Sequence, residues 1–325
     1  MKPIAFMKGR FIAAALSGVL LLATLISLSI QQLNWGLDFT GGTLIELNYD
    51  SSADLGDIRE QLGTGGYEGA MVVSFGTDRD VLVRLPISYS DAEGARMVEV
   101  LRGATSQEII MQRMEFVGPQ VGDELREQGG LAMLLALGLV LIYVGFRFQI
   151  KFAMGAVIAL AHDVLIILGF FSITRLEFDL SVLAAILAVI GYSLNDTIVV
   201  SDRIRENLRK IRKMEPLGVI DVSLNETLGR TLVTSLTTML VLTSLAVLGG
   251  DMIFGFAIAL LVGVTIGTYS SIYVASTSLL ALGVTKEDVA IPVKEGEDQV
   301  LTLCVTIEDV ARPVKECEDQ DAITP

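Results

Sequence analysis

The chain has 325 residues, of which 52% are hydrophobic, and its mean hydropathy is +0.60. Its formal net charge is −14. This hydropathy excludes an ordinary soluble protein, and the acidic balance excludes a nucleic-acid-binding surface, so the composition indicates a membrane protein.

Six apolar stretches are long enough to be predicted as transmembrane helices, because about twenty residues cross a bilayer. They are Phe11–Ile30, Gly129–Phe146, Phe152–Ile173, Leu180–Val200, Leu232–Leu248 and Ile253–Leu282. The first follows basic residues, as a signal peptide does, but its length favours an uncleaved anchor. The fifth is short for a span, and the sixth is long.

The distribution of Lys and Arg predicts the orientation in the membrane. Basic residues concentrate before the first stretch, after the second, and between the fourth and fifth, so these regions are predicted to be cytoplasmic. Both termini are then cytoplasmic. The predicted parts are residues 1–30 with the first span, an external periplasmic domain at 31–128, a five-helix bundle at 129–284 with a cytoplasmic loop at 201–230, and a tail at 285–325.

Periodicity within 31–128 predicts an α+β domain with the order βαββαβ, as in a ferredoxin-like sandwich. The predicted strands are Thr43–Tyr49, Ala70–Phe75, Val81–Leu85 and Glu108–Val117, and the helices are Ser52–Leu62 and Asp91–Leu101. The fold class is therefore an α-helical membrane protein with six transmembrane helices and one external ferredoxin-like domain. This segment has no His or Cys, which favours binding or gating over catalysis.

Asp196 is the only charged residue in Leu180–Val200. A carboxylate in hydrocarbon is costly and typically marks a substrate path or a proton relay. Tyr192 lies one helical turn before it, and Asn195 is adjacent and is expected to offer a hydrogen bond. The alternative is an acid held permanently by a structural partner.

Arg230, at the start of the fifth stretch, is the candidate cation for Asp196, and Thr234, Thr237 and Thr238 continue a polar stripe beyond it. The alternative is an anchor whose charge reaches the membrane interface. His162 and Asp163 lie midway along the third stretch, and a titratable pair at that depth suggests a relay element. The alternative is that neighbouring helices satisfy both residues structurally.

A metal site is not predicted, because zinc takes three or four ligands and His162 is the only histidine. No cofactor is predicted either. Gly263 and Gly267 form a GxxxG pattern that predicts close helix packing. The basic segment Ser201–Lys213 is predicted to be a helix just past the fourth span that orients the protein, with adsorption to anionic lipid as the alternative.

The tail contains a direct repeat. Residues 287–299 and 308–320 match at eleven of thirteen positions, with a period of twenty-one residues. The repeat is too short for a solenoid, so a disordered acidic extension without a catalytic role is expected. Its cysteines, Cys304 and Cys317, are expected to be reduced in the cytoplasm.

Four motifs carry a resemblance to a known family. They are Asn34–Gly42 (NWGLDFTGG), Glu115–Gly122 (EFVGPQVG), Ala159–Asp163 (ALAHD) and Gly191–Asp196 (GYSLND). Together with six spans around one external domain, they closely resemble the SecF family, the smaller partner in the SecD–SecF protein-export complexes of bacteria, within the resistance–nodulation–division superfamily. The first two motifs single out Gly36, Asp38, Gly41, Gly42, Gly118 and Pro119, which are expected to form tight connections at the membrane, with contact to exported chain as the alternative for the first motif.

The resemblance implies that the protein is not an enzyme but assists late steps of protein export across the bacterial inner membrane, using the proton-motive force. The implied partners are SecD, the SecYEG channel, YajC, unfolded exported polypeptides and membrane lipid. The implied relay set is Asp196, Asn195, Arg230, His162 and Asp163. Three alternatives stay open: a small-molecule exporter of the same superfamily, a non-energised assembly scaffold, and an intramembrane hydrolase using His162 and Asp163, which lacks an evident nucleophile.

Overall fold

The structure is a computed structural model, and it describes residues 4–75, 77–85, 89, 91–105, 107–211 and 213–289. The helices are α1 (Arg10–Ile30), α2 (Leu37–Thr40), α3 (Leu55–Thr64), α4 (Asp91–Ala104), α5 (Pro119–Arg147), α6 (Ile150–Thr174), α7 (Leu180–Lys210), α8 (Pro216–Leu248), α9 (Asp251–Ser270) and α10 (Ser276–Ala281). The strands are β1 (Asn34–Trp35), β2 (Gly42–Tyr49), β3 (Met71–Phe75), β4 (Thr77–Leu85), β5 (Ile109–Val117) and β6 (Glu177–Phe178).

Among the described residues, six helices are long and apolar enough to cross a membrane. They are Phe6–Ile30, Gln120–Arg147, Ile150–Thr174, Leu180–Lys210, Pro216–Leu248 and Ile253–Ala281. The last runs through α9 and α10 and contains one π-helical turn, Ser271–Ala275. The six predicted spans are therefore confirmed as helices; the first five are longer than predicted, and the sixth ends one residue earlier.

The helices α6 and α7 form the centre of the bundle. The most apolar stretch of α6 is 61% buried and that of α7 is 50% buried, whereas the corresponding stretches of α5 and α8 are 11% and 17% buried. Close packing around α7 depends on small residues, because a Cβ added at Gly263 would lie 2.2 Å from Val189. At Gly267 it would lie 3.1 Å from Ser193. The predicted role of the GxxxG pattern in helix packing is confirmed within this chain.

The α/β domain follows the order β2, α3, β3, β4, α4, β5. Its four strands pair antiparallel in the spatial order β3-β4-β2-β5. Both helices cover one face of this sheet, where Leu62 and Leu101 meet the inward side chains of β2 and β4, such as Leu47 and Val83. Alternation along β2 dictates this arrangement, because every second side chain points into the core.

Three predicted boundaries were wrong. The basic helix predicted at 201–213 is confirmed as the last part of α7, which continues to Lys210, but the rest of the predicted loop at 201–230 is wrong, because α8 begins at Pro216. The extensions stay helical because they bury apolar residues against each other, including Ile204, Leu208 and Ile220. The fifth span is therefore part of a 33-residue helix. Similarly, the second begins at Pro119 and not at Gly129, because a proline at the first helical position is favourable.

The predicted tail differs at its first residues. Glu287–Val289 form a 3₁₀ turn, and Val289 is fully buried. Most of the duplication, from residue 290 on, both cysteines and the rest of the tail predicted to be disordered fall on residues 290–325, which lie outside the described residues.

Candidate functional site

Asp196 lies in the buried face of α7, with 4% of its surface exposed. Its Oδ2 atom is buried and accepts no hydrogen bond in the part of the chain that the structure describes. The hydroxyl of Tyr192, one turn away, is buried and unpaired in the same way. A buried carboxylate oxygen without a donor is energetically costly, so the ionised form of Asp196 is poorly stabilised in this arrangement of the helices.

Arg230 acts on the Asp196 carboxylate through a Coulombic interaction from α8. Its side chain is exposed, and the described residues hold no ion pair between the two groups within 4.0 Å. Asn195 also faces outward and makes no hydrogen bond to Asp196 among the described residues. The structure thus brings Arg230 within electrostatic reach of the carboxylate and turns Asn195 away from it.

The threonine stripe beyond Arg230 bonds to its own helix. Thr234, Thr237 and Thr238 each donate to carbonyl groups of α8, at distances from 2.8 to 3.1 Å. In this part of α8, the neighbouring polar residues Thr231 and Ser235 are instead buried against the bundle. Arg230, Thr234 and Thr237 therefore form a polar strip on the outer surface of the bundle.

His162 and Asp163 form a second buried centre, in which all four ring and carboxyl heteroatoms have partners. His162 Nδ1 lies 3.0 Å from Asp163 Oδ1, and Nε2 lies 3.1 Å from Ser17 Oγ. Asp163 Oδ2 accepts from Ser193 at 2.5 Å and from Ser270 at 2.7 Å. The network joins α6 to α1, α7 and α9. Sequence reasoning missed these serines, since a lone serine in an apolar helix carries no distinguishing spacing.

The direction of the hydrogen bonds fixes the charge of this centre. Tyr269 donates to the Ala13 carbonyl at 2.7 Å, so its oxygen accepts from Ser17, 2.9 Å away. Ser17 then accepts from His162, which places a proton on Nε2. One further proton lies between Nδ1 and Oδ1 of Asp163. Whichever atom holds it, the pair has zero net charge, which removes much of the cost of burial.

The glycine-rich motif forms a tight connection between α1 and the sheet. Gly42 has φ +139°, and a Cβ there would lie 2.3 Å from the Leu85 carbonyl oxygen. Gly41 also has a positive φ, +70°. The Gly36 amide donates to Phe178 at 2.8 Å, and Asp38 accepts from the Leu180 amide at 3.0 Å. The predicted tight connection is confirmed, and it contacts the start of α7.

The second motif starts α5 in the same region. Gly118 is the extended residue before the helix, and Pro119 is its first residue. One turn later, a Cβ on Gly122 would lie 2.9 Å from the amide of Gly41. The two motifs therefore pack directly on one another, a contact that their separation of some eighty residues hides in the sequence.

An ion pair missed by sequence reasoning joins the α/β domain to the bundle. Arg84 on β4 bonds to Glu177 in the short link between α6 and α7, and both side chains are mostly buried. Burial raises the pKa of the Glu177 carboxyl, and the charge of Arg84 offsets this only in part. The pair closes one side of a cleft of about 310 Å³ between the sheet and the bundle.

Comparison with known proteins relates this geometry to one family. Residues 97–285 match the model of the protein export membrane protein SecD/SecF C-terminal region, and residues 26–53 match the SecD/SecF GG motif. The chain is 52% identical to protein translocase subunit SecF of Pseudomonas aeruginosa over 288 residues, which covers 88% of this chain and 94% of that one. It is 46% identical to protein translocase subunit SecF of Escherichia coli O157:H7, with coverage of 90% and 93%.

The solved structures include that of SecDF, a translocon-associated membrane protein from Thermus thermophilus. The match has a TM-score of 0.77 and 37% identity and covers 86% of this chain. The SecDF chain is much longer, and this chain spans 38% of it. A second match, SecDF in a super-membrane-facing form, has a TM-score of 0.67 and 35% identity over 94% of this chain and 40% of that one.

Proposed function

This chain belongs to the SecF family of protein translocase subunits, and we propose that it is the SecF-type subunit of a bacterial protein-export machine. It is a multi-pass membrane protein. In this role it acts with SecD on the SecYEG channel and its unfolded polypeptide substrates, with YajC as a further subunit. It is not proposed to be an enzyme, because its relatives are translocase subunits. The observation that carries the energetic part of the proposal is the unpaired Asp196 carboxylate in α7.

The SecD partnership is supported by the outer surface of the bundle. Arg230, Thr234 and Thr237 line an exposed polar strip on α8, the helix with one of the least buried apolar stretches. The threonine hydroxyls donate to their own helix, but the charge of Arg230 would find no partner in hydrocarbon, and charged side chains rarely face lipid at depth. A second membrane subunit on this side would cover the strip, and the SecDF chain that this one resembles is long enough to hold such a unit.

The proposed topology keeps both termini in the cytoplasm and the α/β domain in the periplasm. Support comes from three contacts at one end of the bundle. Asn225 bonds to both backbone groups of Ile4, Asp221 accepts from the Met7 amide, and Arg209 donates to the Val289 carbonyl. The first and last described residues of the two terminal segments, Ile4 and Val289, therefore lie beside the basic hairpin of α7 and α8, the side predicted to be cytoplasmic. The α/β domain lies at the opposite end, where α7 begins.

We further propose that the α/β domain is ferredoxin-like, as its element order and antiparallel strand order indicate.

We propose that α7 couples proton movement to the α/β domain. Asp196 lies in this helix. At the beginning of the helix, the Leu180 amide donates to Asp38 of the glycine-rich motif, and Asp179, in the link that holds Glu177, accepts from the Val182 amide. Glu177 bonds in turn to Arg84 of the domain. Moving one charge through 100 mV supplies about 2.3 kcal/mol, enough to bias two arrangements of a helix and the domain attached to it.

The roles of the two buried acids differ in this proposal. Asp196 exchanges a proton near Arg230. The His162–Asp163 pair holds α1, α6, α7 and α9 together around the moving part, because all of its hydrogen-bonding atoms are already satisfied. Asn195, which faces outward, serves as a contact to the partner subunit.

The test compares export by wild type, Asp196→Asn and Arg230→Gln in cells lacking the native subunit. Asp196→Asn keeps the size and hydrogen-bonding shape of the side chain while removing the charge. We expect both variants to accumulate to wild-type levels, yet to lose the component of export that collapses with the membrane potential or ΔpH. Normal gradient-dependent export by Asp196→Asn would leave only a scaffold role.

A further inference from the structure

The first residues after α10 are held on the end of the bundle by a small site, which we call the tail cradle, formed by Lys151 and Arg209. Lys151 Nζ donates to the Gly283 carbonyl at 2.9 Å and to Asp288 Oδ2 at 2.7 Å. Arg209 Nε donates to the Val289 carbonyl at 2.7 Å. The cradle thus binds two carbonyl groups and one carboxylate of the segment.

The docked segment is also fixed by its own side chains. Val284 is 3% exposed and Val289 is fully buried, and both join the apolar cluster at this end of the bundle. The Thr285 amide and hydroxyl donate to Asp288 Oδ2 at 2.7 and 2.9 Å, which shapes the loop between the valines. The hydrogen bond from Lys151 holds the pKa of Asp288 below its ordinary value. The side chains that bind the segment to the bundle or shape its loop are therefore those of Val284, Thr285, Asp288 and Val289.

These four residues recur in the same order twenty-one positions later, as Val305, Thr306, Asp309 and Val310. We propose that residues 305–310 are a second ligand for the tail cradle, so that one site on each chain binds either of two segments of its own tail. This inference does not rest on the proposed role in export.

The two segments differ at two positions that predict which one binds better. Gly283 has φ +63°, and its counterpart is Cys304. A side chain disfavours this left-handed conformation, which alone weakens docking about tenfold. Lys286 is replaced by Ile307. The second segment must also close a loop of some twenty residues, although the entropy of closure rises only slowly with length. The first segment, whose contacts with the cradle are described above, is therefore expected to predominate.

Exchange would change how much tail extends from the bundle. With the first segment docked, residues 290–325 follow the cradle, whereas with the second docked only 311–325 follow it. The repeat then gives two tether lengths from a single docking site.

Alkylation of introduced cysteines tests this exchange on the detergent-solubilised full-length protein. Cys304 and Cys317 are the only native cysteines, so Cys304→Ser and Cys317→Ser provide a background. In that background Val289→Cys is expected to react slowly with a maleimide and Val310→Cys rapidly. Adding Val289→Asp to Val310→Cys places a charge in the apolar contact, frees the cradle and is expected to slow the thiol at position 310 about tenfold. Adding Asp309→Lys should restore the fast reaction by repelling Lys151.

Glu287→Gln is the matched control, because Glu287 is exposed within the same segment. It should leave the alkylation rate of Val310→Cys unchanged. A synthetic peptide of residues 301–320 gives a second measurement that needs no charged substitution, since it should accelerate alkylation of Val289→Cys while a scrambled peptide does not. A fast reaction of Val289→Cys in the absence of peptide would overturn the docking itself. The exchange would be overturned if Val289→Asp left the alkylation rate of Val310→Cys unchanged and the peptide did not accelerate alkylation of Val289→Cys.

Discussion

Asparagine and leucine at position 163 should have very different effects on the buried network, although both remove the charge. An asparagine can donate from its amide nitrogen to His162 Nδ1, while its oxygen still accepts from Ser193 and Ser270. This reproduces the neutral form of the pair, with the His162 proton on Nε2 as the Ser17 contact requires. We expect a loss of about 1–2 kcal/mol, because bonds to a neutral acceptor are weaker than bonds to a carboxylate.

Leucine leaves two buried polar groups without partners, His162 Nδ1 and the Ser193 hydroxyl, whereas the Ser270 hydroxyl loses Asp163 but can still donate to the Gly267 carbonyl at 3.1 Å. At about 1–3 kcal/mol for each unsatisfied group, less some relaxation by the serines toward their own helix, the loss should be on the order of 3–5 kcal/mol. Thermal unfolding of the purified protein should therefore rank wild type, Asp163→Asn and Asp163→Leu in that order, with the larger step at leucine.

Export separates a structural network from a proton relay at the same position. Because Asp163→Asn preserves the bonds, it should keep most gradient-dependent export, whereas Asp196→Asn should not. If Asp163→Asn abolished that export while unfolding close to the wild-type temperature, Asp163 would have to titrate during the cycle, and the division of roles between the two acids would be refuted.

Two further predictions concern the α/β domain: its contact with the bundle and the packing at its first strand. The raised pKa of Glu177 means that this carboxyl binds a proton more tightly when the domain is docked than when it is undocked. Docking should therefore be strongest below the ordinary carboxyl pKa of 4.5 and weaken as the pH rises through the raised value. Protection of the β4 amides from exchange should follow the same pH dependence, and Glu177→Gln should abolish that dependence. Gly42→Ala should destabilise the protein by about 3 kcal/mol or more, since it adds a backbone clash with Leu85 to a left-handed conformation. Gly63→Ala, in α3 with open space around it, is the control and should be neutral or stabilising in the same thermal unfolding assay.

The six spans and the elements of the α/β domain were predictable because their periodicities are local. Leucine and isoleucine runs identify Phe11–Ile30 without reference to any other segment, and alternation identifies Thr43–Tyr49 as a strand. The basic helix at 201–213 was predictable in the same way, but the first turns of α8, from Pro216, were missed. Their polar residues favour a loop when read alone, and the apolar residues of this part, such as Ile220, become evident only when the two helices are paired.

The candidate site was predictable in its acids but not in its partners. Asp196, His162 and Asp163 stand out because charges are rare in apolar runs, whereas Ser17, Ser193 and Ser270 look like ordinary serines until four helices meet. Asn195 illustrates the opposite error. It is adjacent to Asp196 in sequence, but neighbouring residues on a helix point about 100° apart, so adjacency predicts different faces.

The position of α7 explains why one helix carries so many of these features. The middle of α7 contributes Ser193 to the hydrogen-bonded network of His162 and Asp163. One turn later it carries Asp196, whose buried Oδ2 atom has no hydrogen-bond partner among the described residues. A change of charge at Asp196 is therefore applied to a helix that the neighbouring turn fastens to α6 and α9. Its outer end is held by Asp179 and Asp38 beside the link that bonds to Arg84. A helix that is held at its middle moves most easily by tilting or rotating about that point. The movement expected at Glu177 is therefore a small displacement of the link and not a translation of the whole helix. Removing the Ser193–Asp163 hydrogen bond with Ser193→Ala should thus reduce the coupling between Asp196 and the domain even where stability is retained.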